Sequence, residues 1–275
     1  MTSIVRGIDL ILKLSFISLL SIPSGSLFAQ KEGVAYDFSC LETNAISTGV
    51  SFFGDLERSM LSTFGVEVSL EEEIAAGKEV FKAIEKTGNI ISHPKESDLR
   101  KILKELTSGL KEPRGFKYSI HVMDTTELNA FTIGGYIFIT TEMLDFCQSD
   151  DELACIIGHE ISHNELGHIN EQLKRIKTAE VTFGSTMGSW AAQTGQIMIL
   201  SFNQKNEAHC DALGVDLADL ADYNGCAASE LWQRMSDLDG EKPSAGIFFR
   251  SHPYSSDRKT CVLEHLKRNY EHTCE

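Results

Sequence analysis

Residues Asp151 to Asn170 read DELACIIGHEISHNELGHIN, and His159-Glu160-Ile161-Ser162-His163 within them spells H-E-x-x-H. Leu153, Ile156, Ile157 and Ile161 recur at helical spacing with no proline nearby, so the stretch predicts a helix. Ser149, Asp150 and Asp151 open it, with anions where a helix N-terminus favours them. Residues four apart stand one turn above each other on one helical face. Two imidazoles so placed can grip one zinc ion, with Glu160 beside the water that completes the coordination. The alternative is a surface helix that carries two histidines by chance.

A catalytic zinc takes three protein ligands and keeps a position open. One way to supply the third is H-E-x-x-H-x-x-G-x-x-H, but here the matching positions are Leu166 and Ile169. His168 misses the slot by one residue, about 100° around a helix. The other way is a Glu from a later helix. Glu207 and Asp211 lie four apart in Gln204–Gly214, so Glu207 can face the metal while Asp211 accepts a hydrogen bond from a ligand imidazole. His209 falls on the other side of that helix and reads as structural. The motif helix is expected to run on past His168 through Leu173 and Ile176.

Around this centre the chain reads as mainly helical α+β. Ser69-Leu70-Glu71-Glu72 resembles a capping box opening a helix to about Thr87, with Ile74, Val80, Phe81 and Ile84 inward. Pro94 starts a second helix through Leu99, Ile102, Leu103 and Leu106, closed near Gly109. Lys117 to Met123 alternates as a strand, with Tyr118, Ile120 and Val122 on one face. Asn129 to Thr141 is a turn and a β-prone run, whose paired Gly134-Gly135 suggest a tight hairpin. Tyr136 to Thr140 is expected to border the cleft and pair with an extended substrate, Asn129 anchoring its backbone, although an ordinary turn residue and a core strand fit the spacing too. Residues 181–202 are small and apolar; polar residues dilute them too far for a membrane span, and they suggest a helix pair around the cleft with some exposed apolar surface.

The N-terminus reads as an export signal. Arg6 and Lys13 precede the apolar Leu14 to Ile22, Pro23 and Gly25 break it, and Ala29 precedes a plausible cut. Residues 30–275 are then expected to form a single peptidase-like domain of an exported, periplasmic protein. The formal net charge of −15 argues against nucleic acid and anionic headgroups as partners. Seven cysteines follow the signal without a C-x-x-C knuckle; Cys155 reads as a buried thiol, and Cys226, Cys261 and Cys274 as candidates for a bridge.

In Ser251 to Arg258, Pro253 ends what precedes it, and Ser256 or Asp257 can cap a helix carrying Val262, Leu263 and Leu266. His252 has three readings: a solvated loop residue, a donor to the oxyanion, or a fourth ligand closing the resting site. Arg258 is poorly placed for the helix dipole and needs an anionic partner.

Asn129-Ala130-Phe131 with Gly134-Gly135-Tyr136-Ile137-Phe138, then His159-Glu160-x-x-His163, Glu207-x-x-x-Asp211 and His252-Pro253…Arg258 resemble, in that order, peptidase family M48. These are zinc metallopeptidases related to the CAAX prenyl protease and the HtpX heat-shock protease. The resemblance spans about residues 67–265 and implies a gluzincin-type fold with a small sheet beside the zinc helix. It implies one Zn2+ per chain held by His159, His163 and Glu207, Glu160 as general base, His252 as a second catalytic candidate and Asp211 behind the ligands. Asn129, Tyr136, Phe138 and Arg258 become substrate-binding candidates. The implied function is an endopeptidase acting on unfolded or misassembled envelope polypeptides, with peripheral contact to a membrane or outer-membrane assembly machinery. A chaperone-like protein that keeps the fold and cleaves little is the alternative. Ile133 stands where family members often have Pro, and the tail carries no tetratricopeptide repeats.

Overall fold

The computed structural model describes residues 34–41, 65–183, 202–238, 252, 256–270 and 274. The expected signal at 1–29, most of the apolar stretch 181–202, and Pro253 lie outside the described residues.

Helix α1 (Leu70–Thr87) begins with the expected capping box: the Ser69 hydroxyl accepts from Glu72 N–H, and the Glu72 carboxylate accepts from Ser69 N–H. Its inward face is Glu73, Ala76, Gly77, Val80 and Ile84, while Ile74 and Phe81 are half-buried. A two-residue strand β1 (Ile90–Ile91) leads to α2 (Glu96–Ser108), which starts two residues beyond Pro94 and buries Leu99, Ile102, Leu103 and Leu106 as expected. The chain then lays down β2 (Ser119–Met123), β3 (Ala130–Ile133) and β4 (Tyr136–Thr140).

The sheet order is β1-β2-β4-β3. After β2 the chain passes to the far edge, forms β3, and returns into the gap as β4, parallel to β2 and antiparallel to β3. Gly134 and Gly135 make this hairpin, with φ of 56° and 87°, a region where a side chain would meet the backbone. Strand alternation splits the core in two. Ile120, Val122, Ala130, Ile137 and Ile139 join the cluster of α2 and the motif helix, whereas Met123, Phe131, Ile133 and Phe138 join Val80 and Ile84 of α1.

A short helix α3 (Thr141–Phe146) precedes the motif helix α4 (Asp150–Glu165), which is N-capped by the Ser149 hydroxyl accepting from Glu152 N–H. Every residue of α4 from Glu152 to Glu165 is buried. The expected continuation past His168 does not occur. Gly167 takes a left-handed φ of 76°, ends the turn after α4, and lets α5 (His168–Phe183) leave in a new direction. Leu173 is buried on α5 rather than on the motif helix.

Helix α6 (Gln204–Leu220) lies across α4. The crossing is close because both helices present glycine there. A Cβ on Gly158 would come within 2.7 Å of the Gly214 carbonyl oxygen, and one on Gly214 within 2.8 Å of His159 N. Helices α7 (Ala227–Asp237) and α8 (Ser256–Tyr270) close the far side, burying Trp232, Val262 and Leu266. Cys226 pairs with Cys274, as the tail cysteines suggested, but Cys261 pairs with Cys40 from the far end of the sequence. Cys155 is a buried free thiol, with Cys147 and Cys210. No helix among the described residues is long and apolar enough to cross a membrane.

Candidate metal centre

The α4–α6 crossing sets the centre's geometry. His159 and His163 project from one face of α4, and their Nε2 atoms lie 3.0 Å apart. Glu207 comes from the first turn of α6, its Oε2 3.5 Å from His159 Nε2 and its Oε1 3.4 Å from His163 Nε2. His252 completes the group, with Nδ1 3.2 Å from Glu207 Oε2 and 3.3 Å from His159 Nε2. One donor atom from each of these four residues lies within 4.8 Å of all the others, and all four residues are buried. At 1% exposure, the solvated-loop reading of His252 is excluded.

Behind the group, Asp211 Oδ1 accepts from His159 Nδ1–H at 2.9 Å. Arg258 donates from Nε and Nη2 to the two Asp211 oxygens, both at 2.7 Å, and its Nη1 lies 3.0 Å from Glu207 Oε2. Its guanidinium also lies 5.0 Å from the Trp232 ring centroid, a cation–π contact. Arg258 thus has the anionic partner its position required. It is fully buried behind the ligands, which removes it from the substrate-binding residues.

These residues fit a divalent cation on their own chemistry. Glu207 Oε1 is buried and has no hydrogen-bond partner, a costly state for a carboxylate oxygen unless a cation takes it. Because Nδ1 of His159 donates to Asp211, its Nε2 is the atom left to face a metal. Burial opposes charge on His159, yet its hydrogen bonds to the Asp211 and Glu207 carboxylates outweigh burial and lift its pKa to about 9. The same anions that hold a proton there favour a dication. Burial drives His163 down to about 3, so it stays a neutral donor. Burial also raises the Glu160 carboxyl, against the pull of His252 and His159. Its Oε1 lies 3.7 Å from His252 Nε2.

The expected substrate strand needs correcting. Strand β4 is paired along both edges, by β2 and by β3, so it has no free edge for a peptide. Tyr136 stacks on Phe81 of α1, and Phe138 stacks on Phe131 in the α1 cluster, on the sheet face turned away from α4. Both are scaffold. The far edge of the sheet is β3. It is pinned to α4 by Asn164, whose Nδ2 donates to Thr132 Oγ1 at 2.6 Å and to the Glu160 carbonyl at 3.1 Å. Asn129, just before β3, is 1% exposed, and neither its side-chain nitrogen nor its oxygen has a partner.

With this geometry in place, residues 93–266, more than half of the chain, match peptidase family M48. The chain belongs to that family. Among similar proteins is the mitochondrial metalloendopeptidase OMA1 of Schizosaccharomyces pombe, 27% identical, with 79% of this chain and 68% of that protein covered. The β-barrel assembly-enhancing protease of Yersinia pestis is 22% identical, over 80% of this chain and 50% of that protein. The metalloprotease LoiP of Escherichia coli is 24% identical, over 63% and 73%. The chain spans between about a third and three quarters of the length of the curated relatives it matches.

Within this M48 chain, several contributors to the centre were not anticipated. Phe202 packs tilted against His163 with ring centroids 4.0 Å apart, and His168 lies against the same ring, its Nδ1 3.3 Å from His163 Nδ1. Gly158 and Gly214 were legible in principle, since a glycine inside a helical pattern signals close packing. His209 packs against Tyr36 and Phe38, away from the centre, as expected.

Proposed function

We propose that this chain is a zinc-dependent endopeptidase. The observation that carries the reading is the buried group of His159, His163 and Glu207, with an orphaned carboxylate oxygen and Glu160 alongside. A zinc ion in that group supplies Lewis-acid polarisation of a carbonyl and lowers the pKa of water to about 7. Glu160 takes the proton of the attacking water and hands it to the leaving amine as the C–N bond breaks. A carboxyl raised by burial is suited to that exchange. Asp211 and Arg258 hold the His159 tautomer and the Glu207 carboxylate in place. Purified protein is expected to cut unfolded casein, to stop on chelation and to resume with one equivalent of zinc. Zinc-loaded protein that protects a client without cutting it would instead favour the non-cleaving, chaperone-like alternative.

Asn129, whose buried amide has no partner, anchors the backbone of an extended substrate in this reading, which requires the cover over it and over β3, at most 5% exposed, to part on binding. Asn129→Ala is expected to raise KM or lower kcat about 10-fold, by loss of hydrogen bonds of roughly 1.5 kcal/mol, with zinc content unchanged. Peptide kinetics identical to wild type would remove Asn129 from the site.

His252 closes the resting enzyme. Its ring lies between Glu207, His159 and Glu160, where substrate and water must come. His252→Ala is expected to raise cleavage several-fold with zinc retained. Loss of activity with zinc retained would make it an oxyanion donor instead.

Unfolded or misassembled envelope polypeptides are the proposed substrates, supported by the assembly role named for the Yersinia relative. Export to the periplasm is proposed on the N-terminal signal pattern alone.

A further inference from the structure

His159 has a clear outer partner in Asp211, but among the described residues no carboxylate performs that service for His163. The atom that faces Nδ1 of His163 is Nδ1 of His168, at 3.3 Å, with the two rings edge-on at 69°. His168 is the first residue of α5, and the left-handed turn at Gly167 folds it back against the helix it has just left. Were α4 to continue through 168, that ring would lie about 100° away from the next position on the metal-binding face.

We propose that His168 is the positioning residue of His163, accepting a hydrogen bond from its Nδ1–H and so fixing the tautomer and ring plane in which Nε2 faces the metal. The inference rests on the zinc reading given above. With Nε2 of His163 as the ligand, its ring proton sits on Nδ1, so the Nδ1 of His168 must offer the lone pair. Cys210 Sγ also lies 3.3 Å from that nitrogen, whose one lone pair takes only one proton, and the ring N–H of His163 is a stronger donor than a thiol. Both His168 and Cys210 are buried.

Charge explains why the acceptor is an imidazole and not another carboxylate. A dication and the Arg258 guanidinium already balance the carboxylates of Glu160, Glu207 and Asp211. A further carboxylate behind His163 would leave an uncompensated buried negative charge, which is costly. A neutral imidazole supplies the lone pair without it.

The test uses the whole chain and two uncharged variants. His168→Leu keeps the bulk and removes the acceptor; His168→Gln keeps an acceptor in its amide oxygen. Zinc affinity is measured by competition with a chromophoric chelator, and ligand geometry by the visible spectrum of the cobalt-substituted protein. His168→Leu is expected to bind zinc about 10–100-fold more weakly with an altered cobalt spectrum, and His168→Gln to recover most of both. If His168→Leu does not fold, a wild-type affinity and spectrum in His168→Gln still support the role, and a loss as large as a missing ligand's overturns it. Wild-type affinity and spectrum in His168→Leu would reduce His168 to packing and overturn the inference alone. A wild-type protein that binds no zinc would sink the metal reading itself. A second equivalent of metal, with a thiolate charge-transfer band lost in Cys210→Ser, would make His163, His168 and Cys210 a metal site and overturn the positioning role.

Discussion

Glu160→Gln is expected to bind zinc at wild-type stoichiometry and to lose peptide cleavage by about 10²–10⁴-fold in kcat, the usual worth of a positioned acid–base group. The substitution preserves shape and hydrogen-bonding capacity and removes only the ability to take up a proton. Glu160 is not among the four residues whose donors cluster, so the metal group survives its loss. Its backbone carbonyl still accepts from Asn164, which keeps α4 fastened to β3. Zinc content by atomic absorption and turnover of a fluorogenic peptide check the two halves separately. A zinc-loaded variant that cuts at the wild-type rate would remove Glu160 from the chemistry. A variant without zinc would mean that it supports the ligands instead.

That Glu160, the two histidines, Glu207 and Asp211 are legible in the sequence has a simple physical cause. Each pair lies within one helix, where sequence spacing fixes geometry. H-E-x-x-H and Glu207-x-x-x-Asp211 both rest on a four-residue step. The capping box at Ser69 and the glycine hairpin are local for the same reason. What failed depended on which elements meet. Tyr136 and Phe138 have the alternation of a half-buried strand, but alternation does not say which face meets α4, nor that β4 would be inserted between β2 and β3. The Cys40–Cys261 bridge joins residues 221 apart, a pairing that no local spacing reveals. The need of Arg258 for an anion follows from its place in the first turn of a helix, but its position behind Glu207 and away from substrate follows only from the packing of α8 on α6. On a continuous helix His168 misses the metal-binding face, and only the left-handed turn at Gly167 brings it back to His163.

The second large effect is expected at Arg258. Its guanidinium touches Asp211 through two nitrogens and Glu207 through the third, all of them buried. Arg258→Met keeps apolar bulk against Trp232 and leaves two carboxylates facing each other without their cation. Breaking a buried pair from one side costs about 3–5 kcal/mol, which for a chain of this size is a fall in Tm on the order of 10 °C. The metal-free protein should suffer most, because a bound dication partly replaces the missing positive charge beside Glu207. Zinc is therefore expected to bind Arg258→Met more tightly than the wild type and so to raise its Tm by more. Calorimetric melts with and without zinc decide the matter. Equal melting of wild type and variant in both states would show that Arg258 contributes neither stability nor ligand placement. A zinc-independent loss would assign it to the fold alone. Arg258→Lys restores charge but not the two-nitrogen grip on Asp211, and should fall between the two.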